Sequence, residues 1–145
     1  MLPTKLSLFK RHVVTDSLCE QCRDLTKDSV HALWLCDSAK AIWMSDQCFS
    51  SLRSKKFSTF EDVFHFPCGE FSSKSMELFS MVVWSIWERQ NQVQERQQVW
   101  GIDEVCHQAF ALLKKFHDVH KKNPSDGYSK WGYSVEAACL WFAQS

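Results

Sequence analysis

Four residues near the N-terminus have the types and the spacing that metal chemistry requires. Cys19, Cys22, His31 and Cys36 form the pattern C-x2-C-x8-H-x4-C. Two cysteines separated by two residues can turn both sulfurs toward one point through a tight knuckle. His31 and Cys36, a little over one turn apart at the start of a helix, can then close a tetrahedron from the other side. Zn²⁺ takes four such sulfur and nitrogen donors when its role is structural, and the closed shell leaves no position for water or substrate. Three thiolates and a neutral imidazole around a divalent ion leave a net charge of minus one. The apparent binding free energy of zinc peptides, about 10–16 kcal/mol, rivals the whole stability of a small domain. The pattern therefore predicts one structural Zn²⁺ per chain and an N-terminal third that folds only with metal.

The other reactive residues offer less. His117 and His120 would share one helical face near Cys106 and His107, but no carboxylate stands as in H-E-x-x-H, and solvated histidines are the commoner reading. Cys48, Cys68, Cys106 and Cys139 read as buried or unpaired thiols rather than nucleophiles or ligands. No G-x-S-x-G, glycine-rich phosphate loop or H-x-E deaminase signature occurs. Arg53, Lys55 and Lys56 make a modest basic cluster of the kind found in solvated loops. Trp84 and Trp87, three residues apart, are core or interface aromatics before they are base-stacking platforms.

The elements that must hold the knuckle follow from periodicity. A short helix is expected from Pro3-Thr4 through Arg11, with Leu6 and Phe9 on one face and Lys5 and Lys10 outside. Asp28 or Ser29 can cap a helix carrying Val30, His31, Leu33 and Trp34, and another is expected from Asp37 to about Cys48, with Ala41, Ile42 and Met44 apolar. Ser58-Thr59-Phe60-Glu61 fits a capping box before a short turn ending near Phe64, and residues 67–74 read as a loop through Pro67 and Gly69. From Ser75 to about Val99, Phe79, Val82, Val83, Ile86, Gln90 and Val93 form an apolar stripe. Val105, Ala109, Leu112, Phe116 and Val119 repeat the pattern from Asp103 to about Lys121, and Gly101 would let the two long helices fold back as an antiparallel pair. Asn123-Pro124-Ser125-Asp126-Gly127 stops the second, before a tail with a short helix from Val135 to Phe142. The fold class is all-α, divided into a zinc-binding module over 1–56, a helical segment over 57–121 and a tail over 122–145.

Composition bounds the function. The 145 residues are 45% hydrophobic and 23% charged, which suits one globular domain with a real core. Lys+Arg and Asp+Glu both total 17, so no global field draws in nucleic acid or an anionic membrane. The local balance differs: residues 1–56 carry nine basic against six acidic side chains. Met1-Leu2-Pro3-Thr4-Lys5 has no apolar h-region, which predicts no secretory signal, and Leu78 to Trp87 is far shorter than the roughly 20 apolar residues of a bilayer span. An intracellular, reducing location, nucleus or cytoplasm, favours metal ligation over disulfides for the seven cysteines.

Leu2-Pro3-Thr4, Leu8, Arg11, Cys19-x2-Cys22, His31-Ala32-Leu33, Cys36, Ala39 and Trp43 together resemble a specific family. It is the reverse-transcriptase zinc-binding domain of plant LINE-type (non-LTR) retrotransposon polyproteins and their genomic derivatives. Trp84-Ser85-Ile86-Trp87-Glu88-Arg89-Gln90-Asn91 is similar to the Trp-rich helix, ending in Arg-Asn, that often follows in such proteins. The resemblance covers about residues 2–93. It departs at Glu20, where Pro is usual, at Arg23, where Gly is common, at Lys27, usually acidic, and at Gln90, which interrupts the Arg-Asn pair. It implies a zinc-binding module that contacts RNA or DNA without catalysis, since neither a reverse-transcriptase nor a ribonuclease-H-like catalytic part is recognisable. Lys5, Lys10, Arg11 and Arg23 are then the basic side chains for phosphate contact. The alternative is a structural or protein-interaction remnant, with the Trp84/Trp87 helix packing on a protein partner. On either reading, metal removal is expected to unfold residues 12–48 and spare the helices over 75–121.

Overall fold

Residues 4–122 are described by the computed structural model, and among them the fold is all-α. α1 (Lys5–Lys10) starts at Thr4, whose hydroxyl accepts from the Ser7 amide. The knuckle segment follows with little regular structure, only a single bridge between Leu18 and Thr26. A π-helical turn (His31–Leu35) leads into α2 (Asp37–Ser45), a 3-10 helix (Gln47–Leu52), α3 (Phe60–Glu70), α4 (Ser73–Gln94) and α5 (Ile102–Lys122). No helix of the described residues is long and apolar enough to cross a membrane.

One hydrophobic core runs from the knuckle to α5, across the expected boundary at residue 56. Its centre is aromatic. Trp43 of α2 stacks on Phe79 of α4 with ring centroids 5.2 Å apart and meets Phe49 edge-on at 5.1 Å. Trp34 of the π turn lies against Trp43 and Phe57, and Phe64 of α3 closes on Phe79. Edge-to-face and offset pairs of this kind add about 0.5–1.5 kcal/mol each beyond the area they bury. α5 contributes Val105, Cys106 and Ala109 to the same core. Arg89 Nε of α4 donates to the Trp100 carbonyl in the segment leading into α5, and His117 Nε2 of α5 lies 2.9 Å from the Glu77 carboxylate of α4.

Several expectations are revised. Lys5 turns inward between Asp16 and Glu20, while Phe9 is exposed. In α2 the buried residues are Ala39, Ile42 and Trp43; Ala41 faces solvent and Met44 is 56% exposed. That helix ends at Ser45, because Asp46 adopts extended backbone and caps the 3-10 turn through the Cys48 amide. The capping box joins Thr59 and Asp62, and α3 continues through Pro67 to Glu70 instead of stopping near Phe64. Burial of Val63, Phe64 and Pro67 on one face outweighs the cost of an interior proline. α4 ends at Gln94, short of Val99, in a Schellman turn. The Arg96 amide bonds the Val93 carbonyl, the Gln97 amide bonds the Gln92 carbonyl, and Arg96 takes the left-handed conformation (φ 56°) that glycine usually supplies. On α5, Leu112 and Phe116 are half-buried and Val119 is 58% exposed, so the stripe fades along the helix. Pro3, the tail from Asn123 with its expected helix, and Cys139 lie outside the described residues.

Candidate metal centre

The knuckle and the π turn bring the four predicted residues together. Ser17 and Lys27, then Cys19 and Leu25, pair their backbones and make residues 17–27 a narrow loop with Cys19 and Cys22 at its head. Cys19's carbonyl accepts from the Arg23 amide at 2.7 Å, and the amides of Gln21 and Cys22 donate to its sulfur. Arg23 sits at φ 56° to close this turn. A non-glycine residue there costs roughly 1–2 kcal/mol, part of which glycine returns through its greater unfolded-state entropy. Arg23→Gly is therefore expected to stabilise the protein by about 0.5–1 kcal/mol. A thermal midpoint lower than wild type would show that the arginine side chain contributes more than its backbone costs.

The second ligand pair depends on the π turn. Residues five apart on an α-helix point about 140° away from each other. Here the Cys36 amide bonds the His31 carbonyl at 2.8 Å, an i to i+5 closure that winds the turn wider. The Asp28 carboxylate caps the entrance by accepting from the His31 amide at 2.7 Å.

The resulting donor atoms all lie within 4.8 Å of one another. Cys19 Sγ and Cys36 Sγ are 3.9 Å apart, and Cys22 Sγ is 3.4 Å from His31 Nε2. A regular tetrahedron with metal bonds of about 2.3 Å to sulfur and 2.0–2.1 Å to nitrogen gives separations of about 3.8 and 3.6 Å. The group could hold a metal ion. Cys19, His31 and Cys36 are buried and Cys22 half-buried. His31 Nδ1 is also buried, with no hydrogen-bond partner among the described residues, so the sulfurs are the ring's polar company.

Electrostatics favour a cation at this point. The hydrogen bond shared with Cys36, reinforced by burial, pushes the Cys19 thiol up. Cys36 is pushed down to about 4, chiefly by the hydrogen bond from Cys19 and also by Ser38. Two thiols this close share a proton between them. Uptake of a metal ion would release that proton, so affinity would fall as pH falls.

A ring of polar side chains braces the centre. Lys27, 3% exposed, directs its ammonium to Glu20 at 3.3 Å and to the Gln90 carbonyl and Gln94 Oε1, both at 3.4 Å. Gln90 Nε2 donates to the Ala32 carbonyl inside the π turn, and Arg89 Nη1 lies 3.4 Å from Gln21 Oε1 in the knuckle. No protein-family model, curated protein or solved structure matches this chain.

Of the basic residues assigned to phosphate contact, Lys5 is committed to Asp16 and Glu20, at 2.7 and 3.0 Å. Lys10, Arg11 and Arg23 are exposed. Among the other residues weighed, Cys48 and Cys68 are exposed, and Cys106 is buried beside Ser45 and the Ile42 carbonyl. His107 is exposed, and the side chain of His120 lies outside the described residues. Arg53 serves as a C-terminal cap, donating to the carbonyls of Met44 and Asp46. Trp84 and Trp87 are half-buried against the core. Sequence reasoning missed Lys27, Ser38 and Arg89 as supports of the centre. The available signal was a basic residue, Arg89, beside Gln90 on the apolar stripe of a long helix.

Proposed function

We propose that the chain is a zinc-binding module of the retrotransposon reverse-transcriptase kind, with one structural Zn²⁺ on Cys19, Cys22, His31 and Cys36, and that it contacts RNA or DNA without catalysis. The match of the donor separations to a tetrahedron of zinc–sulfur and zinc–nitrogen bonds carries the metal part. A closed set of four protein ligands leaves zinc a structural role. The departures from the family pattern are also mutually consistent: Glu20 and Lys27 are ion-paired at 3.3 Å, and Gln90 reaches the π turn. Exposed Lys10, Arg11 and Arg23 support the nucleic-acid part.

A second reading is favoured by the pairing of Lys5 and by the zero net charge. On it, the module is a structural or protein-interaction remnant that meets a protein partner along the Trp84/Trp87 helix.

Metal analysis should find one equivalent of zinc per chain, lost in Cys36→Ala; a full equivalent retained by that variant would refute the ligand assignment. For the zinc-loaded protein, binding to single-stranded RNA or DNA should weaken with salt on a log–log slope of several. No binding at low salt would eliminate the nucleic-acid reading in favour of the second.

A further inference from the structure

Arg89 is 8% exposed, yet among the described residues it has no carboxylate partner. Its hydrogen bonds go to two neutral oxygens, the Trp100 carbonyl at 2.9 Å and Gln21 Oε1 at 3.4 Å. A buried guanidinium is costly unless an opposite charge compensates it. Lys27, the other buried cation on this side of α4, has Glu20; Arg89 has no such group. What Arg89 does have nearby is the cysteine cluster. Gln21, which it touches at 3.4 Å, sits between Cys19 and Cys22, and the adjacent Gln90 reaches the Ala32 carbonyl in the turn that carries His31 and Cys36.

Resting on the zinc reading above, we infer that Arg89 is the counter-charge of the metal centre, a positioning residue through which α4 recognises the loaded knuckle. A divalent ion on three thiolates and one imidazole carries a charge of minus one, and a single guanidinium balances it. The balance works in both directions. The loaded centre makes Arg89's burial favourable, and Arg89 favours the ionised, three-thiolate state over protonated or neutral alternatives. The Trp-rich helix is then the element that senses whether the knuckle holds its metal, because Arg89, Gln90 and Gln94 all reach toward the N-terminal module from its last two turns.

The test uses Co²⁺ as a spectroscopic probe on the full chain, with Arg89→Gln and Arg89→Lys, in wild-type and Cys22→His backgrounds. The Cys22→His centre has two thiolates and two imidazoles and is neutral. In the wild-type background Arg89→Gln should weaken cobalt affinity ten- to a hundred-fold, as losses around a metal's ligands commonly do. It should also raise the pH of half-loading while preserving the tetrahedral thiolate absorption. Arg89→Lys, which keeps the charge, should stay within a few-fold of wild type. In the neutral Cys22→His background, Arg89→Gln should cost little. Equal losses in both backgrounds, or equal losses for Gln and Lys, would show a packing role and overturn the inference. If Arg89→Gln fails to fold, the comparison of Arg89→Lys with wild type decides by itself, a large loss for Lys being the overturning result. A wild-type chain with no thiolate–cobalt absorption would overturn the metal reading, and this inference with it.

Discussion

On the zinc reading proposed above, chelation is expected to remove amide protection from residues 12–36 while leaving most of the helical signal of α4 and α5 intact. From Arg11 to Ser29 the only buried residues are Cys19 and Lys27, and the backbone is held by a few loop hydrogen bonds. Ordering such a stretch costs about 1–2 kcal/mol per residue, with little apolar burial to offset it. Metal bonds would supply the difference, and a chelator would remove them. α2 and the 3-10 helix that follows it stand differently, although α2 lies within the range first expected to unfold and the 3-10 helix begins there. Ala39, Ile42, Trp43, Phe49 and Leu52 are buried in the core shared with α4, where Trp43 packs on Phe49 and Phe79 as well as on the ligand-bearing turn. The boundary of lost protection should therefore fall near residue 36, not 48. A partial loss should also reach the end of α4, where Arg89, Gln90 and Gln94 touch the knuckle and the π turn. Hydrogen exchange with and without chelator reads this directly. Uniform loss across the whole chain would show a single cooperative unit and defeat the expectation.

The parts of this structure that were legible in the sequence are those governed by local pattern. Cys-x2-Cys allows only a tight turn, so the knuckle followed from spacing. The stripe through Phe79, Val82, Val83, Ile86 and Gln90 followed from helical periodicity, and all of these are buried. The illegible parts depend on contacts between distant residues or on backbone states without a sequence marker. Nothing local marks Lys5 as turned inward, because Asp16 and Glu20 reach it only after the chain has doubled back. Arg23 and Arg96 hold left-handed backbone where glycine would have announced a turn, so the knuckle's closure and the end of α4 lacked their usual signals. Pro67 read as a stop because its missing amide disfavours a helix interior, whereas tertiary burial carries α3 past it. The π turn is the clearest case. H-x4-C fits an α-helical start as well as a wider turn, and only the demand that both donors meet the knuckle selects the latter.

Trp43 shows how that demand is met, and its replacement should have a large effect on the fold. It follows Cys36 by seven residues, two turns of helix, which returns its side chain toward the π turn that carries the ligands. Its indole Nε1 donates to the Leu33 carbonyl at 2.9 Å, inside that turn, while the ring stacks on Phe79 and meets Trp34 and Phe49. One side chain thus fixes the ligand-bearing turn to α4. Trp43→Ala is expected to cost about 3–5 kcal/mol by the lost burial and the cavity left behind, a large fraction of the roughly 5–15 kcal/mol that holds a typical domain. Trp43→Phe keeps most of the ring contacts but orphans the Leu33 carbonyl, for a smaller loss of about 1–3 kcal/mol. Because the orphaned carbonyl lies between His31 and Cys36, Trp43→Phe should also weaken metal binding, whereas a core substitution remote from the turn, such as Val105→Ala, should destabilise without doing so. Denaturant unfolding of the metal-loaded variants gives the stabilities, and competition with a chromophoric chelator gives the affinities. A Trp43→Ala variant within about 1 kcal/mol of wild type would contradict the burial argument. Unchanged metal affinity in Trp43→Phe would show that the π turn holds its shape without the indole.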